Sequence, residues 1–290
     1  MKAKKIDKIA TSVLYIISFL IVFLLALFIG YIIFNGRQSL NFKFIFGNND
    51  NGGIGPQLFN SFYILIISLL ITIPIGVGAG IFLAEYAGKN KFVDFIRLCI
   101  ETMASLPSIV VGLFGLLVFV TMLHWKYSVL AGALSVSILN LPSMTRVTEN
   151  AIRAASKNVK EASLGLGATP WQTIAKVTLP SSMPEILTGV ILAAGRIFGE
   201  AAAFLYTSGM SAPMVKFGKF SLINNSSAYS LFRPAETLAV HIWKLNAEGM
   251  AANSKQIANG ASAILIILVL VFNISARFIG NKIHKAYSGK

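Results

Sequence analysis

The chain has 290 residues, of which 55% are hydrophobic and only 12% charged, with a formal net charge of +14 and a mean hydropathy of +0.72. A soluble domain carries roughly 25% charged residues, so composition excludes an ordinary water-soluble protein and indicates a polytopic α-helical membrane protein. The single cysteine, Cys99, excludes an intramolecular disulfide and a thiolate cluster.

Six apolar blocks are long enough to cross a bilayer, each needing about 20 residues. The first, 12–34, follows the basic opening MKAKKIDK and has no charge between Lys8 and Arg37. It is too long for the apolar region of a signal peptide and reads as an uncleaved anchor. The others are 58–83, 104–123, 127–145, 186–208 and 260–280. Pro74 and Pro107 are expected kinks in spans two and three. GVGAG at 76–80 lies inside an apolar span with no strand before it, so it reads as close helix packing and not as a phosphate cradle.

With the N-terminus placed in the cytoplasm, inside segments hold sixteen Lys and Arg and outside segments hold eight. This asymmetry predicts both termini inside. The positive charge therefore serves topology. No basic stripe interleaved with aromatics is present, so nucleic acid is not an expected partner.

Enzyme motifs are missing. There is no G-x-x-x-x-G-K-[ST], G-x-S-x-G or H-E-x-x-H, and His124, His241 and His284 are too far apart in sequence for a metal spacing. No cofactor and no metal are expected. The stretch GRIFGEAAAF, 195–204, instead places Arg196 and Glu200 inside span five. Four residues apart on a helix, they would share one face, roughly 6 Å apart along the axis. An unpaired charge at mid-bilayer costs about 2.5–3.5 kcal/mol on insertion scales. Two readings fit: an intrahelical ion pair that fixes helix rotation, or an arginine offered to a passing oxyanion, with Glu200 paired to it or protonated.

The cytoplasmic loop 146–185 reads as two short helices with a break at GLGATP, where Pro170 can start the second helix. Glu161-Ala162-Ser163, three residues, Gly167, nine residues, then Val177-Thr178-Leu179-Pro180 resembles the EAA loop of binding-protein-dependent ABC importer permeases. The pattern there is E-A-A-x3-G-x9-I-x-L-P, so Ser163 and Val177 are mild departures. The resemblance implies a coupling helix that docks into a cleft of an ATPase subunit. It assigns that contact to Glu161, Ala162, Leu164, Gly165, Gly167 and Ala168. Trp171, Leu179 and Pro180 would hold the second helix against the bundle.

Two further stretches, GGIGPQLFNSFYI at 52–64 and LPSSMPEILTGVILAAGRIFGEAAAFLYTSG at 179–209, resemble the A-type permease subunits of phosphate-specific importers, as does RPAETLAVHIWKL at 233–245. The implied fold is all-α integral membrane, six transmembrane helices in the type I ABC importer permease (MetI-like) arrangement. The implied partners are a C-type sister permease, two ATPase subunits, an extracytoplasmic phosphate-binding protein, the lipid bilayer and inorganic phosphate. In that family, Arg and Glu at the positions of Arg196 and Glu200 are associated with phosphate passage. Residues 1–57 would form the N-terminal tail, first span and outer loop, 58–280 the permease core, and 281–290 the C-terminal tail. A sulfate or molybdate permease, a phosphate-sensing scaffold and a stand-alone channel remain alternatives.

Overall fold

A 37-residue helix, α6 (Val129–Gly165), is the axis of the molecule. The computed structural model describes residues 2–49, 52–88, 90–213, 217–218, 220–249 and 253–288, and Lys89, Lys216, Lys219 and Lys290 of the charge asymmetry lie outside these. The remaining helices are α1 (Lys2–Gly36), α2 (Phe42–Phe46), α3 (Gly55–Ile81), α4 (Lys91–Ala104) and α5 (Ser108–Gly115). After α6 come α7 (Pro170–Thr173), α8 (Leu179–Gly199), α9 (Ala202–Thr207), α10 (Leu238–Glu248) and α11 (Ser254–Ser288). Wide π-helical turns extend α3 through Tyr86 and α5 through Met122, and join α7 to α8 across Ile174–Thr178.

Among the described residues four helices are long and apolar enough to cross a membrane: Ile6–Ser39, Gly55–Tyr86, Pro170–Gly199 and Ser254–Phe278. A fifth apolar stretch is a bent pair of helices. Lys91–Ala104 meets Ser108–Met122 at 98°, and the bend falls at Ser105-Leu106-Pro107, where Pro107 precedes the first turn of α5. Span three therefore begins after the proline and not at residue 104. Pro74, by contrast, lies within a continuous α3. The expected fourth span, 127–145, is the first half of α6. Much of its surface is buried by neighbouring helices, so it carries Ser135, Ser137, Asn140 and Thr145 and falls short of the apolar composition of the other four.

Close approach builds the core. Gly76 and Gly80 of α3 face α6 so tightly that an added Cβ would sit 2.7 Å from Met144 Cγ and 2.5 Å from Thr148 Cβ. Small residues in these positions let two backbones meet in lipid. Ile64 and Leu65 of α3, Val136 and Leu139 of α6, Ile197 of α8 and Phe204 of α9 fill the centre. α1 packs through its end, where Gly36 lies against Asn259 and Ala263 of α11, and its apolar window is otherwise exposed.

Two expectations about boundaries fail for a common reason. The cytoplasmic loop does not begin with a separate short helix, because α6 runs unbroken past the end of span four to Gly165. Residues 146–164 hold no glycine or proline to stop it. Nor is span five a single helix over 186–208: it starts earlier, and stops at Gly199.

Candidate functional site

The elbow after α6 is capped at both ends. Gly167 adopts φ +86°, Gly167 N donates to Leu164 O at 3.0 Å and Ala168 N to Ser163 O at 3.3 Å. These two bonds close the helix with a Schellman motif, whose left-handed position favours glycine. Two residues on, Thr169 Oγ1 accepts from Gln172 N while Gln172 Oε1 accepts from Thr169 N, and Pro170 starts the new helix. This reciprocal box satisfies two otherwise orphaned donors. The hydroxyls of Ser163 and Thr173, 2.9 Å apart, pin one arm to the other. The elbow is thus a formed object with defined ends.

Its outer surface is apolar. Leu166 is 90% exposed and Trp171 65%, with Leu164, Glu161, Ala162, Gly165 and Gly167 also exposed and Ala168 half-buried. Trp171, expected to brace the second helix against the bundle, points away from it instead. Thr173 and Ile174 are the buried residues of that turn. Leu179 packs against the cluster of Met144, Ala151 and Ile186, and Pro180 beside it is half-buried.

α8 carries the second feature. Ser182, Ile186, Gly189, Ala193 and Ile197 are buried, whereas Ser181, Glu185, Thr188, Leu192 and Arg196 are exposed at helical spacing. A stripe in which four of five residues are polar or charged does not belong against lipid. Arg196 sits in the last turn of α8, where the helix dipole favours a cation by about 0.3–1 kcal/mol. The expected ion pair with Glu200 does not form. Glu200 has an extended backbone, ψ 132°, which takes it off the helix. Its carboxylate turns onward, and Oε1 accepts from Ala203 N at 3.1 Å in the first turn of α9. Beside the stripe a cavity of about 660 Å³ opens between α8 and α11, lined by Thr188, Leu192, Asn273, Ile274 and Arg277 among others.

A third feature, at the outer end, escaped the sequence reading. Gln57 Nε2 donates to Glu236 Oε2 at 2.9 Å, and Asn60 Nδ2 to Glu236 O at 3.0 Å. Arg233, 1% exposed, donates to Asn60 Oδ1 at 2.8 Å, Ala228 O at 2.9 Å and Pro234 O at 3.2 Å. Leu238 N donates to Ser61 Oγ at 2.8 Å. The stretches GGIGPQLFNSFYI and RPAETLAVHIWKL, far apart in sequence, are therefore two halves of one buried polar latch. Its signal was the density of Gln, Asn, Ser, Arg and Glu next to apolar blocks. Burial pushes the Arg233 guanidinium down to about 10, opposed by Tyr63, so it stays charged at neutral pH. Burial pushes the Glu236 carboxyl up, but the His241 hydrogen bond and charge, the Gln57 amide and Lys244 outweigh it and hold it below its usual range.

An apolar bundle with a polar stripe along one spanning helix, and a rigid elbow held out beyond it, defines a membrane transport permease. The chain belongs to the family of binding-protein-dependent transport system inner membrane components, which matches residues 76–288. It is an ABC importer permease subunit, a component that is not itself an enzyme. A probable ABC transporter permease protein of Bacillus subtilis (strain 168), YqgI, is 52% identical over 289 residues, covering 98% of each chain. The phosphate transport system permease protein PstA of Yersinia pestis is 33% identical over 232 residues, covering 80% of this chain and 74% of that one. In fold, the chain is similar to a bacterial ABC transporter that imports alginate, with a TM-score of 0.66 at 16% identity over 94% of this chain and 95% of that one. It is also similar to the inward-facing MetNI methionine transporter, with a TM-score of 0.62 at 17% identity over 78% and 94% of the two chains. The all-α type I importer fold is therefore that of this chain.

Proposed function

We propose that the chain is the A-type permease subunit of an ATP-driven phosphate importer. It supplies half of the translocation path. A C-type sister permease supplies the other half, two ATPase subunits sit under the elbows, and an extracytoplasmic binding protein delivers phosphate. Both termini lie in the cytoplasm. The observation that carries the reading is the elbow itself: doubly capped, apolar at its tip through Leu166 and Trp171, and continuous with the central helix α6. An exposed tip on a rigid arm suits a groove on a motor protein. For the substrate, the support is the named phosphate permease of Yersinia pestis together with Arg196, whose guanidinium geometry suits phosphate oxygens.

In this mechanism ATP closes the ATPase pair, the elbow follows, and α6 and α8 carry the displacement into the bundle. Arg196 then presents a fixed positive charge to the anion at the break in α8. Glu200 holds the start of α9 and leaves the arginine free for the substrate. The test is uptake by the complex, reconstituted in vesicles with its ATPase and binding protein. Phosphate is expected to accumulate with ATP, and sulfate or molybdate is not. Arg196→Gln is expected to abolish uptake while assembly and nucleotide binding persist. Accumulation of sulfate in place of phosphate overturns the substrate, conduction without ATP points to a channel, and no flux with any anion points to a sensing scaffold.

A further inference from the structure

Below the spans, the elbow's arm is strapped to two other helices by a buried ion cluster. Glu149 of α6, 8% exposed, receives Arg97 Nε of α4 at 3.0 Å and Arg153 Nη2 of its own helix at 2.8 Å, both on Oε1. The same two arginines donate to Leu83 O, at 3.3 Å and 3.2 Å. Leu83 lies in the π-helical turn that ends α3, where backbone carbonyls lack helical partners. One turn further along α6, Ser156 and Lys160 both engage Glu85 from that same turn. Arg97 also holds Asp94 at 3.1 Å within α4.

We infer that Glu149 is a positioning residue for energy coupling: it locks the end of α3 and the crosswise helix α4 to the shaft of α6, so that motion of the elbow moves all three together. The inference rests on the reading of the elbow as the ATPase contact. Its geometry explains why α6 is one unbroken helix. The elbow ends at 165, the strap spans Glu149 to Lys160, and the packed glycines Gly76 and Gly80 meet α6 from Met144 to Thr148. Load applied at the tip therefore passes the strap before it enters the membrane core. Two charged forks on one carboxylate and one carbonyl make a joint of fixed shape. In Glu149→Gln the two guanidinium groups are left with only neutral oxygens between them, those of the amide and of Leu83, while Arg97 keeps Asp94, so the mutual repulsion is no longer offset at the joint.

The strap's function is coupling and not binding, so the test reads phosphate moved per ATP hydrolysed. This ratio does not depend on how much complex folds. The complete complex is reconstituted in vesicles with radiolabelled phosphate, and a cysteine at Leu166 is crosslinked to the ATPase to report elbow contact. In Glu149→Gln the ratio is expected to fall by about fivefold or more, the lower end of coupling between distant sites, with ATP hydrolysis and the crosslink retained. Arg97→Lys, which keeps charge but loses the fork, is expected to fall by less. Arg146→Gln, at the half-exposed Arg146–Glu101 pair on the same interface, is expected to leave the ratio unchanged. A wild-type ratio in Glu149→Gln with the crosslink intact overturns this inference alone. Should Glu149→Gln fail to assemble, an unchanged ratio in Arg97→Lys overturns it. Absence of the crosslink in the wild-type complex overturns the elbow reading and this inference with it.

Discussion

Asn60→Leu is the sharpest test of the outer latch. Asn60, 2% exposed, ties α3 to two points of the segment before α10 through one side chain: its amide donates to Glu236 O at 3.0 Å and its carbonyl accepts from Arg233 Nη2 at 2.8 Å. Leucine has nearly the same shape and no polar atoms. The bond from a charged donor is worth about 1.5–3 kcal/mol and the neutral one about 0.5–1.5, so the latch should lose about 2–4.5 kcal/mol. Arg233 keeps its bonds to Ala228 O and Pro234 O, so the change is local. The assay is amide hydrogen exchange of the purified complex at Ala235, Glu236 and Leu238, whose N–H groups bond Ser208 O, Ser211 O and Ser61 Oγ. At 1.36 kcal/mol per tenfold, opening should rise by about 30- to 2,000-fold. Exchange at these amides changed by less than about threefold would refute the claim that Asn60 holds the latch shut.

Gly80→Ala should destabilise the α3–α6 contact by about 1–3 kcal/mol, because its Cβ meets Thr148 Cβ and Thr145 O. Gly78→Ala, which meets nothing within 4 Å, should not, and thermal unfolding of the two complexes compares them. Gly167→Ala places a Cβ at φ +86° at a cost of about 1–2 kcal/mol and should weaken ATPase binding to the permease, measured by titration. The latch should also sense acid. The Glu236 carboxyl titrates below its usual 4.5, so its contribution is present above about that pH and is lost as pH falls through the lower folded value. Exchange at Ala235, corrected for intrinsic rates, should therefore rise as pH falls below about pH 5, and Glu236→Gln should remove that acid step.

What could be read from sequence follows how local the cause is. The turn at 165–170 was legible because glycine, threonine and proline act on their own backbone, and the structure places the αL residue and the new N-terminus at Gly167 and Pro170. The apolar helices were legible from length. The ends of the helices were not, because hydropathy marks where a segment leaves the bilayer and not where its hydrogen bonding stops. Thus 127–145 coincides with the first half of α6 and misses its end at Gly165. Trp171 was given a bracing role by resemblance alone, which says nothing of which way the turn faces, and in this chain it is 65% exposed. The latch and the strap depend on pairs such as Gln57–Glu236 and Arg97–Glu149, separated by 179 and 52 residues, which no local pattern links.

The break at Glu200 is the clearest case, and it bears on the transport path. GRIFGEAAAF contains no proline, and its alanines favour helix, so propensity alone continues the helix through Glu200. The structure instead takes Glu200 (ψ 132°) and Ala201 (φ −121°) out of helical conformation. Within a bilayer, non-helical backbone is tolerated where it is buried in protein or lines a water-filled cavity. Arg196 and Gly199 beside the break are exposed, so protein of this chain does not cover that side. Of the surroundings left, hydrocarbon is the costliest for a free guanidinium and for broken backbone alike. Water satisfies both. The same helix presents Ser181, Glu185 and Thr188 on that side down to the elbow. One continuous rod, Pro170–Gly199, thus has its first turn in the elbow and its last turn at Arg196, so displacement at one end necessarily re-aims the charge at the other.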